Sequence, residues 1–155
     1  MDNPFWNYSL AHYSKPGVAP LCLAAQDELG ADVNLLLLAA WLASAGRTLD
    51  AVQLASLLAA TAEWREQVIA PLRALRRQWK GLAQAAALRE QLKALELQAE
   101  RELQACLYRL AAQLPGSTGE VCARANLQVV LKATGASAEE AGERAGALAA
   151  ALLAD

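Results

Sequence analysis

The sequence predicts an all-α protein, and two observations support this fold class: the amino-acid composition and the positions of glycine and proline along the chain. Its 155 residues include 37 Ala and 29 Leu but only 7 Val, 1 Ile and 4 Thr. Ala and Leu are favourable in helices, whereas sheets prefer β-branched and aromatic residues. Glycine and proline also divide the chain into segments of helical length. We therefore expect a single all-helical domain over residues 1–155, a bundle of seven or eight helices.

Helix boundaries in the first half follow from capping residues, glycine and proline. Asn3 followed by Pro4 is typical of a helix start, because Asn caps the first turn and proline fits the first helical position. Gly30 is a natural helix end, and Asp32 is a natural cap for the next helix. We predict helices over residues 4–14, 20–29, 33–45 and from Thr48 or Asp50 to about Ala60.

The middle of the chain contains a proline-interrupted region and the longest predicted helix. Pro71 lies within a helical region over residues 62–80, where the missing backbone donor predicts a kink or a restart. The longest helix is expected at about 82–114, which would span roughly 45–50 Å. Its apolar positions, spaced three or four apart, are Leu88, Leu92, Leu95, Ala99, Leu103, Cys106 and Leu110. Such a helix must bend, break or project from the body, or it pairs with a second copy of itself.

Two capping-box patterns predict the last two helices. Ser117-x-x-Glu120 precedes a helix that ends at Thr134-Gly135, and Ser137-x-x-Glu140 opens the final helix over 138–153. In this pattern the two side chains satisfy backbone donors of the first turn.

Composition and motifs weigh against several classes of function. The formal net charge of −2 and the absence of a recognisable motif argue against nucleic-acid binding. No phosphate-binding loop, dinucleotide motif, metal-ligand cluster or nucleophile–base pair is present, so we expect no cofactor, no metal and no catalytic residues. The chain is thus more consistent with a non-enzymatic protein, although an enzyme is not excluded.

The sequence also predicts a cytoplasmic location. Its most apolar stretch, Val33–Ala45, has 13 residues, whereas a membrane span needs about 20. The first residues show no basic, hydrophobic leader. Three cysteines cannot all pair and none is in a C-x-x-C spacing, which favours free thiols in a reducing compartment.

A basic stripe is the first candidate site. Arg73, Arg76, Arg77 and Lys80 follow i, i+3, i+4, i+7 spacing, so the four cations share one helical face beside apolar residues. One interpretation is a solvated face that pairs with acidic residues of this chain, either Glu63 and Glu66 or those of the long helix, which are Glu90, Glu96, Glu100 and Glu102. The other is a surface that docks an acidic partner.

A polar set around Gly30 is the second candidate site. Gln26, Asp27, Asp32 and Asn34 lie just before the run Leu35–Leu38. Asp27, near a helix C-terminus, opposes the helix dipole without an evident structural gain, which is sometimes the mark of a binding site. Asp32 also has the simpler role of a cap, and Asn34 can stay at the helix end.

Roughly the first half of the chain resembles a family of short, uncharacterised proteobacterial proteins, and the rest resembles it loosely. The residues that carry the resemblance are Phe5-Trp6-x-Tyr8-Ser9-Leu10, Pro16-Gly17-Val18, Cys22-Leu23-x-x-Gln26-Asp27, Gly30-x-Asp32-Val33-Asn34-Leu35-Leu36-Leu37 and Trp41-Leu42. The likeness extends to Pro71-Leu72-Arg73-x-Leu75-Arg76-Arg77. It implies a bacterial, cytoplasmic protein and brings no established activity.

Two functions remain open at this point. The first is a protein–protein interaction module that docks an acidic partner through the basic stripe, or that self-associates. The second is an all-α protein that binds or converts a small molecule of diphosphate type, with aspartates and arginines around the ligand. The spacing of Asp27 and Asp32, which do not share one helical face, weakens the second hypothesis.

Overall fold

The structure, a computed structural model, describes residues 3–116 and 121–154, and these form helices and connecting turns without strands. This confirms the predicted all-α class and the number of helices. The α-helices are α1 (Pro4–Tyr13), α2 (Val18–Leu29), α3 (Val33–Ser44), α4 (Ala51–Trp64), α5 (Ala70–Gln78), α6 (Ala86–Ala111), α7 (Ala123–Lys132) and α8 (Ala138–Leu153). A π-helical turn (Arg65–Ile69) joins α4 to α5, and a 3₁₀ turn (Ala83–Ala85) precedes α6.

Side-chain caps set the starts of four of the described α-helices, α1, α3, α4 and α8. The Asn3 carboxamide oxygen accepts the Trp6 N–H at 3.0 Å, and the Asp32 carboxylate accepts the Asn34 N–H at 2.8 Å. Asp50 rather than Thr48 caps α4, with the reciprocal bond from Gln53. The second helix starts two residues before Pro20, because Gly17 adopts a φ of 85° and turns the chain directly into it.

Pro71 neither breaks nor restarts its helix, and the end predicted near Ala60 is wrong. The chain is helical without interruption from Ala51 to Gln78. The Ala70 N–H donates to the Arg65 carbonyl, five residues back, in the π-helical turn. Pro71 therefore lies in the first turn of α5, a position that tolerates a residue without a backbone donor.

The long helix is shorter than predicted, and its buried face differs from the predicted apolar seam. With 26 residues, α6 is about 39 Å long. Leu92, Ala99 and Leu103 are buried as expected, but Leu88 and Leu95 are 58% and 52% exposed. Glu96 and Gln104 are buried on this helix. The buried face is therefore rotated from the leucine seam toward polar residues that have partners on other helices.

The hydrophobic core is organised around α3, in which every residue from Asn34 to Ala40 is buried. This helix packs against α1, α2, α6 and α7, and α8 packs against α2 and α7. The rod formed by α4, the π-helical turn and α5 lies along α6.

Of the two predicted capping boxes, the structure describes the one that begins at Ser137. Ser137 caps α8, since its hydroxyl oxygen accepts the Glu140 N–H at 3.1 Å. The Ser117 and Glu120 pattern lies outside the described residues. Over the described ranges, no helix has both the length and the apolar character of a membrane span.

Candidate functional site

The inner half of the basic stripe forms ion pairs with α6. Arg76 donates two hydrogen bonds to the Glu96 carboxylate, at 2.5 and 3.3 Å. Arg73 bridges two acids, with its Nε 3.7 Å from Glu96 and its Nη2 3.2 Å from Glu100. The side chain of Glu96 is only 8% exposed, so the two arginines neutralise a nearly buried carboxylate.

The outer half of the stripe faces solvent. Arg77 lies 3.5 Å from Asp27 of α2, and both side chains are more than half exposed. Lys80 is also exposed, beyond the end of α5. Arg77 thus partly offsets the unfavourable interaction of Asp27 with the dipole of α2. Because both side chains are exposed, this ion pair contributes little to stability.

The polar set around Gly30 is divided by the fold. Asp32 caps α3 and Asp27 faces Arg77, so both aspartates have structural partners. Asn34 is buried at 6% exposure, and its carboxamide oxygen accepts a hydrogen bond from Gln104 at 3.0 Å. Gln26 and Asn34 line a cavity.

This cavity, which we call the α1–α6 cavity, has a volume of about 480 Å³. It lies between α1, α2, α3, α5 and α6 and brings together residues of both predicted sites: Gln26 and Asn34 from the polar set, and Arg73 and Arg76 from the basic stripe. Asp27, Asp32, Arg77 and Lys80 are not among its lining residues. Its apolar wall consists of Trp6, Leu10, Leu23, Val33, Leu37 and Leu97.

Two buried polar atoms in the cavity wall have no hydrogen-bond partner within the described chain. They are the Ser9 hydroxyl oxygen and the Gln104 carboxamide oxygen, in side chains that are 5% and 2% exposed. Buried polar groups are nearly always hydrogen-bonded, because desolvation without a partner costs about 1–3 kcal/mol. Both atoms have essentially no accessible surface, so they lie behind the surface of the cavity rather than on it.

The N-terminal helix contributes to both the core and the cavity. Phe5 is fully buried against Trp41, with the ring centroids 5.6 Å apart. Trp6 and Tyr13 instead line the cavity. The guanidinium of Arg101 lies 5.6 Å from the Trp6 ring centroid and holds this indole by a cation–π contact. The helix thus seals the core on one side and forms a cavity wall on the other.

Burial raises the pKa of two side chains that line the cavity. The pKa of Glu100 is raised from its ordinary value by desolvation, although the nearby Arg73 acts in the opposite direction. The pKa of Tyr13 is raised mainly by burial, with a smaller repulsion from Cys22 and Glu100. Both shifts mean that burial disfavours the anionic forms of these two side chains.

Sequence patterns did not single out the two unpartnered residues. Ser9 lies among aromatic residues, and Gln104 lies between the buried Leu103 and Leu107. The available signal was the spacing of Glu96, Glu100 and Gln104, each four residues apart along one face of α6. That spacing predicts a polar row beside the apolar one, on the side of the helix that the arginines approach.

The described residues contain no group of three His, Cys, Asp or Glu side chains able to hold a metal ion. The fold and the cavity together define an all-α protein with one side of its bundle opened into an amphipathic cavity.

The chain belongs to the family described as "Protein of unknown function (DUF2390)", whose model matches residues 4–107. This range includes every residue that lines the cavity. No curated protein and no solved structure shows a significant match.

Proposed function

We propose that this protein binds a small molecule in the α1–α6 cavity. The observation that carries the proposal is the amphipathic cavity itself, of about 480 Å³, in which an apolar wall accompanies charged and amide side chains of α2, α3, α5 and α6. A ligand placed in it would remove the apolar wall from water.

The size and lining of the cavity support the same function. Ligand sites typically enclose about 300–1,000 Å³, with an apolar lining and a few converging polar groups. The α1–α6 cavity has about 480 Å³ and these features. Its residues also lie within the range that defines the family, whereas α7 and α8 lie outside it.

The diphosphate-type ligand considered from the sequence has less support. Such a ligand needs cations that are available to its phosphates, or a metal held by carboxylates. Arg73 and Arg76 already pair with two glutamates, and the aspartates at 27 and 32 do not line the cavity. A binding role, with or without chemistry on the ligand, is supported better than diphosphate turnover.

Native mass spectrometry of the full-length protein, incubated with a bacterial small-molecule extract, tests the proposal. We expect a bound species that disappears in Leu97→Trp, because Leu97 is 54% exposed and a larger ring there fills the cavity mouth. Leu88→Trp is the matched control, since Leu88 is 58% exposed on the same helix and away from the cavity. No bound species, or equal binding by both variants, would overturn the proposal.

Docking of an acidic protein partner is a second candidate, supported by the outer half of the basic stripe. Arg77 and Lys80 are exposed, and Leu75 and Leu82 beside them are 37% and 53% exposed. Cations next to exposed apolar side chains are typical of a surface that recognises an acidic, partly apolar partner. Self-association through this surface is the other form of the same hypothesis.

Charge reversal at the outer positions tests this second function without breaking the buried ion pairs. Arg77→Glu with Lys80→Glu should abolish a stoichiometric complex recovered from cell extract, or dimerisation measured by sedimentation. Lys132→Glu, which reverses an exposed cation on α7, is the control and should retain the complex. Retention by the double variant would contradict docking at this surface.

We also propose a bacterial, cytoplasmic location. The three cysteines at positions 22, 106 and 122 are free, which fits a reducing compartment. Localisation of a fluorescent fusion in the native bacterium would test it, and periplasmic recovery would be the contrary result.

A further inference from the structure

We infer that the α1–α6 cavity selects amphipathic carboxylates, which are small molecules with an apolar body and one anionic head that pairs with Lys93 at the rim of the cavity. This inference rests on the proposed binding function and specifies the chemical class of the ligand. It follows from the charges of the lining, the exposure of Lys93 and the exposed leucines of the wall.

The charged side chains of the lining leave one cation in excess. The lining contains three cations and two carboxylates, which are Arg73, Arg76 and Lys93, and Glu96 and Glu100. The two arginines face the two glutamates, with nitrogen–oxygen distances between 2.5 and 3.7 Å. These four charges neutralise one another within the protein, so Lys93 carries the net positive charge of the lining. A single positive charge favours a ligand with a single negative charge.

Lys93 can exchange its present partner for a ligand. It lies 3.1 Å from Glu90 on the same helix, in a pair whose side chains are 42% and 70% exposed. Exposed pairs of this kind contribute little, and Glu90 is not among the lining residues. A carboxylate in the cavity can therefore replace Glu90 at small cost. The arginines are held more firmly, because the Glu96 side chain that they share is only 8% exposed.

The apolar wall next to Lys93 accommodates the body of the ligand. The cavity follows one face of α6 from Lys93 to the buried Gln104, a rise of about 16 Å. Leu97 lies one turn from Lys93, and it lines the cavity together with Leu10 and Leu23, at exposures of 54%, 58% and 43%. An alkyl chain or ring against these leucines removes apolar surface from water on both sides. The head stays at the rim, where it keeps part of its hydration.

A series of ligands with one body and different heads tests the inference. Binding of octanoate, octanol, octylammonium and octyl phosphate to the full-length protein is measured by calorimetry and by thermal shift, at pH 7 and below micellar concentrations. A ligand that binds only the native state raises the melting temperature with its concentration. We expect octanoate to bind about fivefold more tightly than octanol, and more tightly than the other two. Added salt should reduce this advantage.

Point variants place the head at Lys93. Lys93→Met should abolish the preference for octanoate over octanol and leave octanol binding unchanged. Lys132→Met removes the same charge at an exposed position of α7 and should retain the preference.

Removing the partner of Lys93 should have the opposite effect. Glu90→Gln frees the ammonium group and should tighten octanoate binding about twofold to fivefold. Glu102→Gln is the matched control, because Glu102 is exposed on the same helix and does not line the cavity. Octanoate affinity should be unchanged in this control.

The outcomes separate this inference from the proposed function. If octanol, octylammonium or octyl phosphate binds as tightly as octanoate, and binding is still lost in Leu97→Trp, the carboxylate class is overturned and the binding function is retained. An octanoate preference that persists in Lys93→Met would overturn the placement of the head. Absence of binding by the whole series would overturn this inference, whereas a ligand from bacterial extract that is lost in Leu97→Trp would still support the proposed function.

Discussion

The carboxamide of Asn126 accepts a hydrogen bond from the Leu49 N–H at 2.9 Å and thereby joins α7 to the segment that leads into α4. Its amide nitrogen donates to the carbonyl oxygens of Ala39 and Arg47, at 3.1 and 3.0 Å. Asn126 is 1% exposed, so no solvent replaces these partners. One side chain thus satisfies three backbone groups around the end of α3, and fixes α7 against the central helix.

Replacing this residue should destabilise the fold strongly. Asn126→Ala leaves the buried Leu49 N–H without its acceptor and removes the bonds to the Ala39 and Arg47 carbonyl oxygens. We expect a loss of about 2–4 kcal/mol in the free energy of unfolding. Urea denaturation measures the change. Gln91→Ala, at an exposed position of α6, should change the stability by less than about 0.5 kcal/mol. Similar losses in both variants would contradict the role assigned to Asn126.

Two neighbouring arginines of α5 should differ greatly in their contribution to stability. Arg76→Met leaves Glu96 nearly buried with one fewer cation, and should cost about 2–3 kcal/mol. Arg77→Met removes only an exposed pair with Asp27 and should cost less than about 1 kcal/mol. The two variants carry the same substitution one residue apart, so chemical denaturation compares them directly. Equal costs would show that the stripe does not divide into a buried and an exposed half.

The titration of Glu100 should produce a pH dependence of stability with a definite sign. Burial raises the pKa of Glu100 above its ordinary value of 4.5, so the folded state binds this proton more tightly than the unfolded state. Its contribution is therefore fully present below the unfolded pKa and is lost as the pH rises through the folded pKa. Glu100→Gln removes this loss. The stability of the variant minus that of the wild type should increase between pH 4 and pH 7 in urea titrations. A difference that falls over this range would reverse the assigned shift.

The three cysteines should react with a thiol reagent in the order of their exposure. Burial raises the pKa of the Cys22 thiol to about 12, and the side chain is fully buried. Cys122 is exposed and Cys106 is intermediate. Because the thiolate is the reactive form, Cys122 should be modified first at pH 8, and Cys22 only after unfolding. Peptide mapping after timed alkylation measures the order, and early modification of Cys22 in the native protein would be inconsistent with this core.

Local signals in the sequence predict most helix boundaries, because capping acts within one turn of the chain. Asn3, Asp32 and Asp50 cap the helices that their side chains predict. The errors arise where the structure depends on contacts between residues that are far apart in the sequence. Leu95 points to solvent because the arginines of α5 hold the adjacent Glu96 inward. The continuity of the rod across Pro71 depends on a hydrogen-bond shift in the preceding turn, which the proline alone does not predict.

The cavity was predictable only in its parts. The spacing of the basic stripe and the position of Asp27 at a helix C-terminus predict two separate candidate sites, but no pattern indicates that Arg73 and Asn34 line one cavity. Ser9 carries no sequence signal, since a polar residue on a helix is normally solvated, and the spacing of Glu96, Glu100 and Gln104 indicates only a polar row on α6. The packing of the helices around Ser9 and Gln104 is what buries them.

The π-helical turn at Arg65–Ile69 has a consequence for the evolution of this chain. The hydrogen bond of this turn spans five residues rather than four, so the turn takes up one extra residue while α5 keeps its orientation toward α6. Deleting one residue from this segment would restore a regular α-helix and leave Arg73 and Arg76 facing their glutamates on α6. Deleting one residue from the regular part of α4 would instead rotate the two ends of the rod relative to each other by about 100°. The π-helical turn is therefore the place in this rod where a relative can differ in length by one residue and keep the same ion pairs.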